Sequence, residues 1–194
     1  MSQADPIEYD IVIVGSGIVG LSFANELIDT DFSVAIVERA ELKPVAEPPD
    51  CRVSAINRSA LERFASSGVF QSELAQRVCA YEKMFVWDQT GAGQIQFDSA
   101  ELGVSELGAI IENNVLQQML LDKVKVADNI DYLCPEEISS IDYSYENEQA
   151  ADISIDLASA QRLRASLLIG ADGVNSRVRE VAGIQRKRQP YQQQ

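Results

Sequence analysis

The sequence predicts an α/β fold with a central parallel sheet and an antiparallel three-stranded β-meander. Three observations carry this expectation. Residues 9–14 (YDIVIV) form an apolar, largely β-branched run that breaks at a glycine-rich hexapeptide, leads into a helical stripe and returns as a second apolar run at 32–37. That is β–turn–α–β within about 30 residues, the size of one crossover unit. Late in the chain, three strand-like segments follow one another, and the last runs into another glycine turn and a helical segment.

Taken in order, residues 1–7 are a polar start, and 9–14 read as a strand buried on both faces. Residues 21–29 place Leu21, Ala24, Leu27 and Ile28 on one helical stripe, and 32–37 form the second buried strand, ending at Glu38. Residues 40–50, with Pro44, Pro48 and Pro49, are loop. Residues 57–65 read as a helix, and 81–87 and 94–97 as antiparallel strands around Gly91-Ala92-Gly93. Residues 101–107 are loop, 109–111 a short strand, 114–126 a helix, and 130–134 a strand stopped by Pro135. The meander takes 138–145, 151–157 and 162–169, and a last helix takes 176–182. Residues 1–184 read as one domain, and 185–194 as a polar linker beyond it, opening with the basic stretch Arg186–Arg188.

Composition excludes several functions. The chain has 194 residues, 46% of them apolar, enough for a core without disulfides. With 16 Lys and Arg against 30 Asp and Glu, the net charge of −14 argues against nucleic acid as partner and against electrostatic docking on an anionic membrane. The absence of histidine removes Ser-His-Asp and Cys-His catalysis and most zinc sites. Cys51, Cys79 and Cys134 are odd in number and widely spaced, which fits a reducing, cytosolic setting better than a disulfide framework. No run approaches the ~18 apolar residues of a membrane span. The N-terminus is acidic rather than signal-like.

Gly15-x-Gly17-x-x-Gly20 lies between the first strand and the first helix. Gly15 permits the tight turn, Gly17 lets the backbone approach a diphosphate, and Gly20 lets the helix pack against the strand. The helix start adds free N–H groups and a partial positive charge. Glu38 follows Gly20 by 18 positions, close to the ~20 expected of a carboxylate that accepts from ribose hydroxyls. A carboxylate there repels a 2′-phosphate, so the adenosine should be unphosphorylated. The reading is a Rossmann-like dinucleotide site, with FAD and NAD not separated by this motif. The second constellation is Gly170-Ala171-Asp172-Gly173-Val174-Asn175-Ser176-Arg177-Val178-Arg179. Asp172 can present a carboxylate at a strand end near a cofactor ribose. Alternatively the segment is a plain helix start, with Asn175 or Ser176 as N-cap and Arg177 and Arg179 solvated.

Together, GSGIVG and GADGVNSRVR resemble the first and second FAD fingerprints of the group A flavoprotein aromatic hydroxylases. Cys51–Asn57 (CRVSAIN) and Ile110–Leu116 (IIENNVL) resemble, within that group, the ubiquinone-biosynthesis hydroxylases that act on polyprenylated phenols. The similarity runs from about Tyr9 to Ile184. It implies that Gly15, Gly17 and Gly20 cradle the FAD diphosphate and that Glu38 holds the adenosine ribose. It also implies that Arg52 neutralises phosphate or steadies the flavin side. Asn113 matches a position that commonly holds Arg or Gln and touches the cofactor. Asp172 and Gly173 match the Asp-Gly pair that serves FAD and the passing nicotinamide nucleotide. Ile18 and Arg39, the neighbours of Gly17 and Glu38, complete the implied contacts.

The resemblance further implies an FAD-dependent monooxygenase. NAD(P)H is its transient reductant, and O₂ gives a flavin C4a-hydroperoxide that passes oxygen to a polyprenylated phenol. Other quinone-biosynthesis proteins are potential partners, and no transmembrane segment is implied. The implied place is the cytoplasm, with peripheral attachment to the inner membrane left open by the lipid substrate. No side chain is assigned as catalytic acid or base, and no metal site is expected. Phe85, Trp87 and Tyr81 are core residues or line a substrate pocket. One departure stands out: the family's third FAD motif, a downstream Gly-Asp pair, is absent. The chain therefore resembles an N-terminal portion, with the substrate domain largely missing. Another FAD-dependent hydroxylase or reductase, or a non-catalytic flavin-fold subunit, is the alternative the sequence leaves open.

Overall fold

The computed structural model describes residues 5–147 and 150–187. In chain order the elements are β1 (Ile7–Val14), α1 (Ile18–Asn25), β2 (Val34–Val37), β3 (Val53–Asn57), α2 (Arg58–Ser66), β4 (Cys79–Tyr81), β5 (Lys83–Trp87) and β6 (Gln94–Asp98). They continue with β7 (Gly108–Glu112), α3 (Asn113–Val124), β8 (Ile130–Leu133), β9 (Ile138–Asn147), β10 (Ala150–Leu157), β11 (Arg162–Gly170) and α4 (Arg177–Val181). They group into two compact units. One holds the described residues up to Glu41 and from Val124 onward, and the other holds Leu42–Lys123. Of the expected linker, residues 188–194, including Arg188, lie outside the described residues, as do residues 148–149 between β9 and β10.

The first unit is built on a six-stranded sheet in the order β8-β2-β1-β11-β10-β9. β8, β2, β1 and β11 run parallel, while β10 pairs antiparallel with β11 and β9. The meander is thus continuous with the parallel sheet through β11. A central parallel strand is covered on both faces and cannot alternate in polarity. Accordingly Ile11–Val14 and all of β2 are buried. On one face Val12, Val14, Ala35, Val37, Ile155 and Leu163 form the centre of a cluster, against which Val178 and Val181 of α4 pack.

Register decides where the site can be. Val14 lies beside Val37 of β2 and beside Gly170 of β11. Three strands therefore end level, and the segments that follow them emerge side by side at the carboxyl edge of the sheet. This is the edge at which open parallel sheets bind ligands.

α1 starts three residues earlier than the stripe predicts, because Gly17 serves as its N-cap. It also stops earlier. The N–H groups of Glu26 and Leu27 bond to Phe23 and Ala24 carbonyls, tightening the last turn, and Asn25 Nδ2 donates back to the Leu21 carbonyl at 2.8 Å.

In the second unit β7 lies between β3 and β4, all antiparallel, while β5 and β6 form a separate hairpin. The strand expected at 81–87 is two strands in two sheets. The carbonyl of Tyr81 accepts from Leu107 N–H and that of Glu82 from Ser99 N–H, so the chain changes partners there. The loop expected at 101–107 begins as a 3-10 turn over Ser99–Leu102, started by the Asp98 side chain and closed by Gly103 at φ +66°. β3 was not expected as a strand. It is an edge strand on which only Ser54 and Ile56 are half-buried, so it lacks a strong apolar pattern. Asn57 caps α2 by accepting from Ala60 N–H at 2.9 Å.

Candidate functional site

The glycine motif divides into two kinds of glycine. Gly15 has φ +101°, and a Cβ there would lie 2.5 Å from the Ala171 carbonyl oxygen. A Cβ on Gly20 would lie 2.0 Å from the Gly15 carbonyl oxygen. Both are demanded by the chain's own packing. Gly17 differs: its φ of −66° suits any residue, and a Cβ there meets nothing within 4 Å. The fold does not need glycine at 17, and the space beside it is open. Gly17 is also the N-cap of α1, with no side-chain cap and no acidic residue in the first turn. The leading N–H groups of a helix lack intrahelical partners. Here no capping side chain is seen among the described residues, which leaves an end suited to an anion.

Glu38 emerges from β2 beside this loop. Its Oε2 accepts from Ser16 N–H at 2.8 Å and lies 3.2 Å from Ser16 Oγ, and its Oε1 accepts from Ala40 N–H at 3.1 Å. The buried Ser16 hydroxyl also lies 3.2 Å from the Tyr132 hydroxyl on β8. Burial, foremost, pushes the Tyr132 phenol up to about 12. The carboxylate of Glu38 is thus held at the sheet edge by the glycine loop itself.

Asp172 emerges from β11. Its Oδ2 accepts from the N–H groups of Arg177 (2.6 Å) and Val178 (3.2 Å), starting α4, while Ser176 Oγ accepts from Arg179 N–H at 2.9 Å. The helix-start alternative therefore describes the local structure, with Ser176 as N-cap. Arg177 and Arg179, however, are not simply solvated. Arg177 donates to the carbonyls of Ile138 and Ser139, and Arg179 to that of Val174. Asp172 Oδ1 is buried and has no hydrogen-bond partner among the described residues.

These segments enclose a groove of about 410 Å³, lined by Gly15, Gly17, Glu38, Arg39, Asp172 and Gly173 among others. Ile18 and Gly20 sit on the first turn of α1 behind it. A site of this kind can accept hydroxyls at a carboxylate, seat a diphosphate on a helix start and place a cation, the exposed Arg39, at its rim.

Arg52 and Asn113 belong to the other unit, where they are neighbours. Arg52 lies next to β3 and Asn113 opens α3, and Asn113 N–H donates to the Arg52 carbonyl at 2.9 Å. Asn113 Oδ1 accepts from Ser54 Oγ at 2.6 Å, and the exposed Arg52 guanidinium has no partner among the described residues. Sequence reasoning missed what stands behind them. Glu112 is 6% exposed and binds Arg77 in a two-pronged ion pair of 2.8 and 2.7 Å. Glu112 lies within a motif singled out above, but nothing local marks its partner 35 residues away. Phe85 and Trp87 stack at 5.7 Å on the β5–β6 hairpin and are 50% and 66% exposed, so within the described residues they are not core. Tyr81 is half-buried.

The profile of the FAD binding domain family matches residues 8–193. This chain belongs to that family. The FAD-binding chain is 35% identical over 177 residues to the 3-demethoxyubiquinol 3-hydroxylase of Escherichia coli, covering 90% of this chain and 44% of that protein. It is 34% identical over 196 residues to the Ubiquinone biosynthesis monooxygenase COQ6, mitochondrial, of Xenopus tropicalis, covering 95% of this chain and 42% of that one. The chain thus spans less than half the length of these curated relatives. Among solved structures it resembles Pseudomonas aeruginosa PqsL in complex with 2-aminobenzoylacetate, with a TM-score of 0.76, 21% identity, and coverage of 95% of this chain and 48% of that one. It also resembles the p-nitrophenol 4-monooxygenase PnpA from Pseudomonas putida, with a TM-score of 0.69, 18% identity, and coverage of 93% and 44%. These similarities bear out the fold class.

The residues present fit FAD. The open space at Gly17, the uncapped start of α1, the tethered Glu38 carboxylate and the unpartnered Asp172 Oδ1 are what an adenosine diphosphate moiety would use. No helix among the described residues is long and apolar enough to cross a membrane.

Proposed function

We propose that this chain is the N-terminal part of an FAD-dependent monooxygenase that hydroxylates a polyprenylated phenol in ubiquinone biosynthesis, using NAD(P)H and O₂. The observation that supports the cofactor half is the convergence of Gly17, Glu38 and Asp172 on one groove at the carboxyl edge of the sheet. The names of the two relatives above support the substrate half.

Ile18 and Val19 N–H groups at the start of α1 receive the diphosphate, and Gly17 lets it approach. Glu38 accepts from the ribose hydroxyls, and its charge disfavours a 2′-phosphate. Arg39 at the rim offsets part of the cofactor's negative charge in a chain that carries −14. Asp172 with Gly173 closes the groove from the β11 side. Bound and reduced FAD supplies the activation of O₂ and the transfer of one oxygen atom to the ring. The chemistry therefore needs no side-chain nucleophile, and a chain without histidine is suited to it. The bilayer location of a polyprenylated phenol favours a protein peripheral to the membrane and working beside other quinone-biosynthesis proteins.

The test uses the full-length protein. It should purify yellow and release FAD on denaturation. With NAD(P)H and a polyprenylated phenol it should consume O₂ and yield the ring-hydroxylated product by mass spectrometry. A colourless protein that takes up no added FAD overturns the reading. Oxygen uptake with simple phenols alone moves it to another aromatic hydroxylase on the same frame.

A further inference from the structure

We propose that Tyr132 is a positioning residue of the dinucleotide site, acting through Ser16 to fix the Glu38 carboxylate for a ligand with free ribose hydroxyls. This rests on the reading just given, in which Glu38 accepts from the adenosine ribose. The relay itself lies wholly within the first unit, in contacts between β8, the glycine loop and the end of β2.

Tyr132 stands beside Ile36 on the edge strand β8, one residue before the strand ends at Leu133. The Lys125 ammonium sits over its ring, 5.6 Å from the centroid. Its hydroxyl lies 3.2 Å from Ser16 Oγ, which in turn lies 3.2 Å from Glu38 Oε2. Chemistry sets the direction of this chain. A carboxylate only accepts, and a hydroxyl has one hydrogen to give. Ser16 therefore donates to Glu38, its oxygen is left as an acceptor, and the Tyr132 hydroxyl is the donor to it. Ser16 is 2% exposed, so bulk water does not readily replace the phenol there.

The acceptor count gives the relay a use. A carboxylate offers about four sites to donors. The N–H and hydroxyl of Ser16 take two on Oε2, and the Ala40 N–H takes one on Oε1 at 3.1 Å. One site on Oε1 is left for an incoming hydroxyl. Glu38 lines the groove, whereas Ser16 and Tyr132 do not, so Tyr132 acts on a ligand only through the other two. The backbone at Glu38 is held separately. Its N–H donates to the Leu133 carbonyl at 3.0 Å, and its carbonyl accepts from Glu136 N–H at 2.8 Å. Loss of the phenol hydroxyl thus frees the carboxylate to turn without releasing the strand end.

The experiment uses the full-length holoprotein, stripped of FAD and titrated by flavin fluorescence with FAD and with its 2′,3′-dideoxyadenosine analogue. The parent should prefer FAD by about tenfold or more, the scale of hydrogen bonds to a charged group. Tyr132→Phe, which keeps the ring, should cut that preference about fivefold, on the scale of one neutral hydrogen bond, and leave the affinity for the analogue unchanged. Ser16→Ala, which keeps the N–H contact to Glu38, should do the same, and Tyr132→Phe should add nothing in that background. A merely structural role would weaken both ligands alike, and that result overturns the inference. So does an unchanged preference in Tyr132→Phe, or a full further loss when it is added to Ser16→Ala. A parent that binds both ligands equally removes Glu38 from the ribose, and the inference falls with that assignment.

Discussion

Glu38 and Ser16 meet at the carboxyl edge of the sheet, where Glu38 Oε2 accepts the Ser16 N–H at 2.8 Å although the residues are 22 apart in sequence. The acid at the end of β2 is therefore fixed by the glycine loop that follows β1. Its position in the groove is a property of two strand ends together. Glu38→Arg replaces an acceptor by a cation and breaks that tie. Losing charged hydrogen bonds of this kind costs about 1.5–3 kcal/mol. FAD affinity should fall at least tenfold, read by flavin fluorescence titration, while Ser16→Ala, which keeps the backbone bond, should do less. Normal affinity in Glu38→Arg removes Glu38 from the site.

Tyr132 gives a pH signature. Burial, with smaller contributions from Cys134 and Glu38, raises its phenol from the ordinary 10 to about 12. The neutral phenol is the form favoured in the folded protein. Its contribution is complete below pH 10 and is lost as pH rises through about 12. An absorbance titration near 295 nm should show phenolate that appears late, and Tyr132→Phe should remove part of that late phase. If Tyr132→Phe instead removes signal near pH 10, the Tyr132 phenol is not buried in solution.

Asp172 starts α4 through two backbone N–H groups, with Ser176 as the cap proper. Asp172→Ala leaves both donors without that acceptor, a loss of about 0.5–2 kcal/mol for a helix start. Hydrogen exchange should accelerate at Arg177–Val181 while β1 and β2 remain protected. Uniform loss of protection across the sheet would mean that Asp172 supports the whole unit rather than its last helix.

Much of the site was legible because it follows local rules. A buried strand, a glycine turn and a helix announce Gly15, Gly17 and Gly20, and the second strand end announces Glu38. Asp172 was legible only as an acid at a strand end, since its capping of α4 and the same sequence pattern coincide. The rest depends on partners far apart in the chain. Tyr132 reaches Ser16 across 116 residues, and Glu112 finds Arg77 across 35. Arg177, which composition would leave in water, is held by carbonyls of β9. The strand β3 and the break at Glu82 were equally hidden, because an edge strand and a change of sheet leave no periodicity. The continuity of the meander with the parallel sheet arises from β11 pairing on both sides, which no segment of sequence states alone.

The three glycines separate fold from cofactor. Gly20→Ala places a methyl group 2.0 Å from the Gly15 carbonyl oxygen, so α1 must move off β1. Overpacking of this kind costs about 1–3 kcal/mol or more. Gly15→Ala adds a left-handed φ of +101° to a 2.5 Å clash with the Ala171 carbonyl. Both variants should melt well below the parent protein. Gly17→Ala should not, because its φ of −66° is ordinary and nothing lies within 4 Å of the added Cβ. Its change in stability should stay within about 0.5 kcal/mol, as for a substitution whose new atom meets no neighbour. Its FAD affinity should nevertheless fall steeply, because the methyl group fills the space through which the diphosphate reaches the start of α1. Thermal melts and flavin titrations on the three variants decide the matter together. A Gly17→Ala protein that melts normally and also binds FAD normally would place the diphosphate elsewhere, whatever Gly15 and Gly20 do.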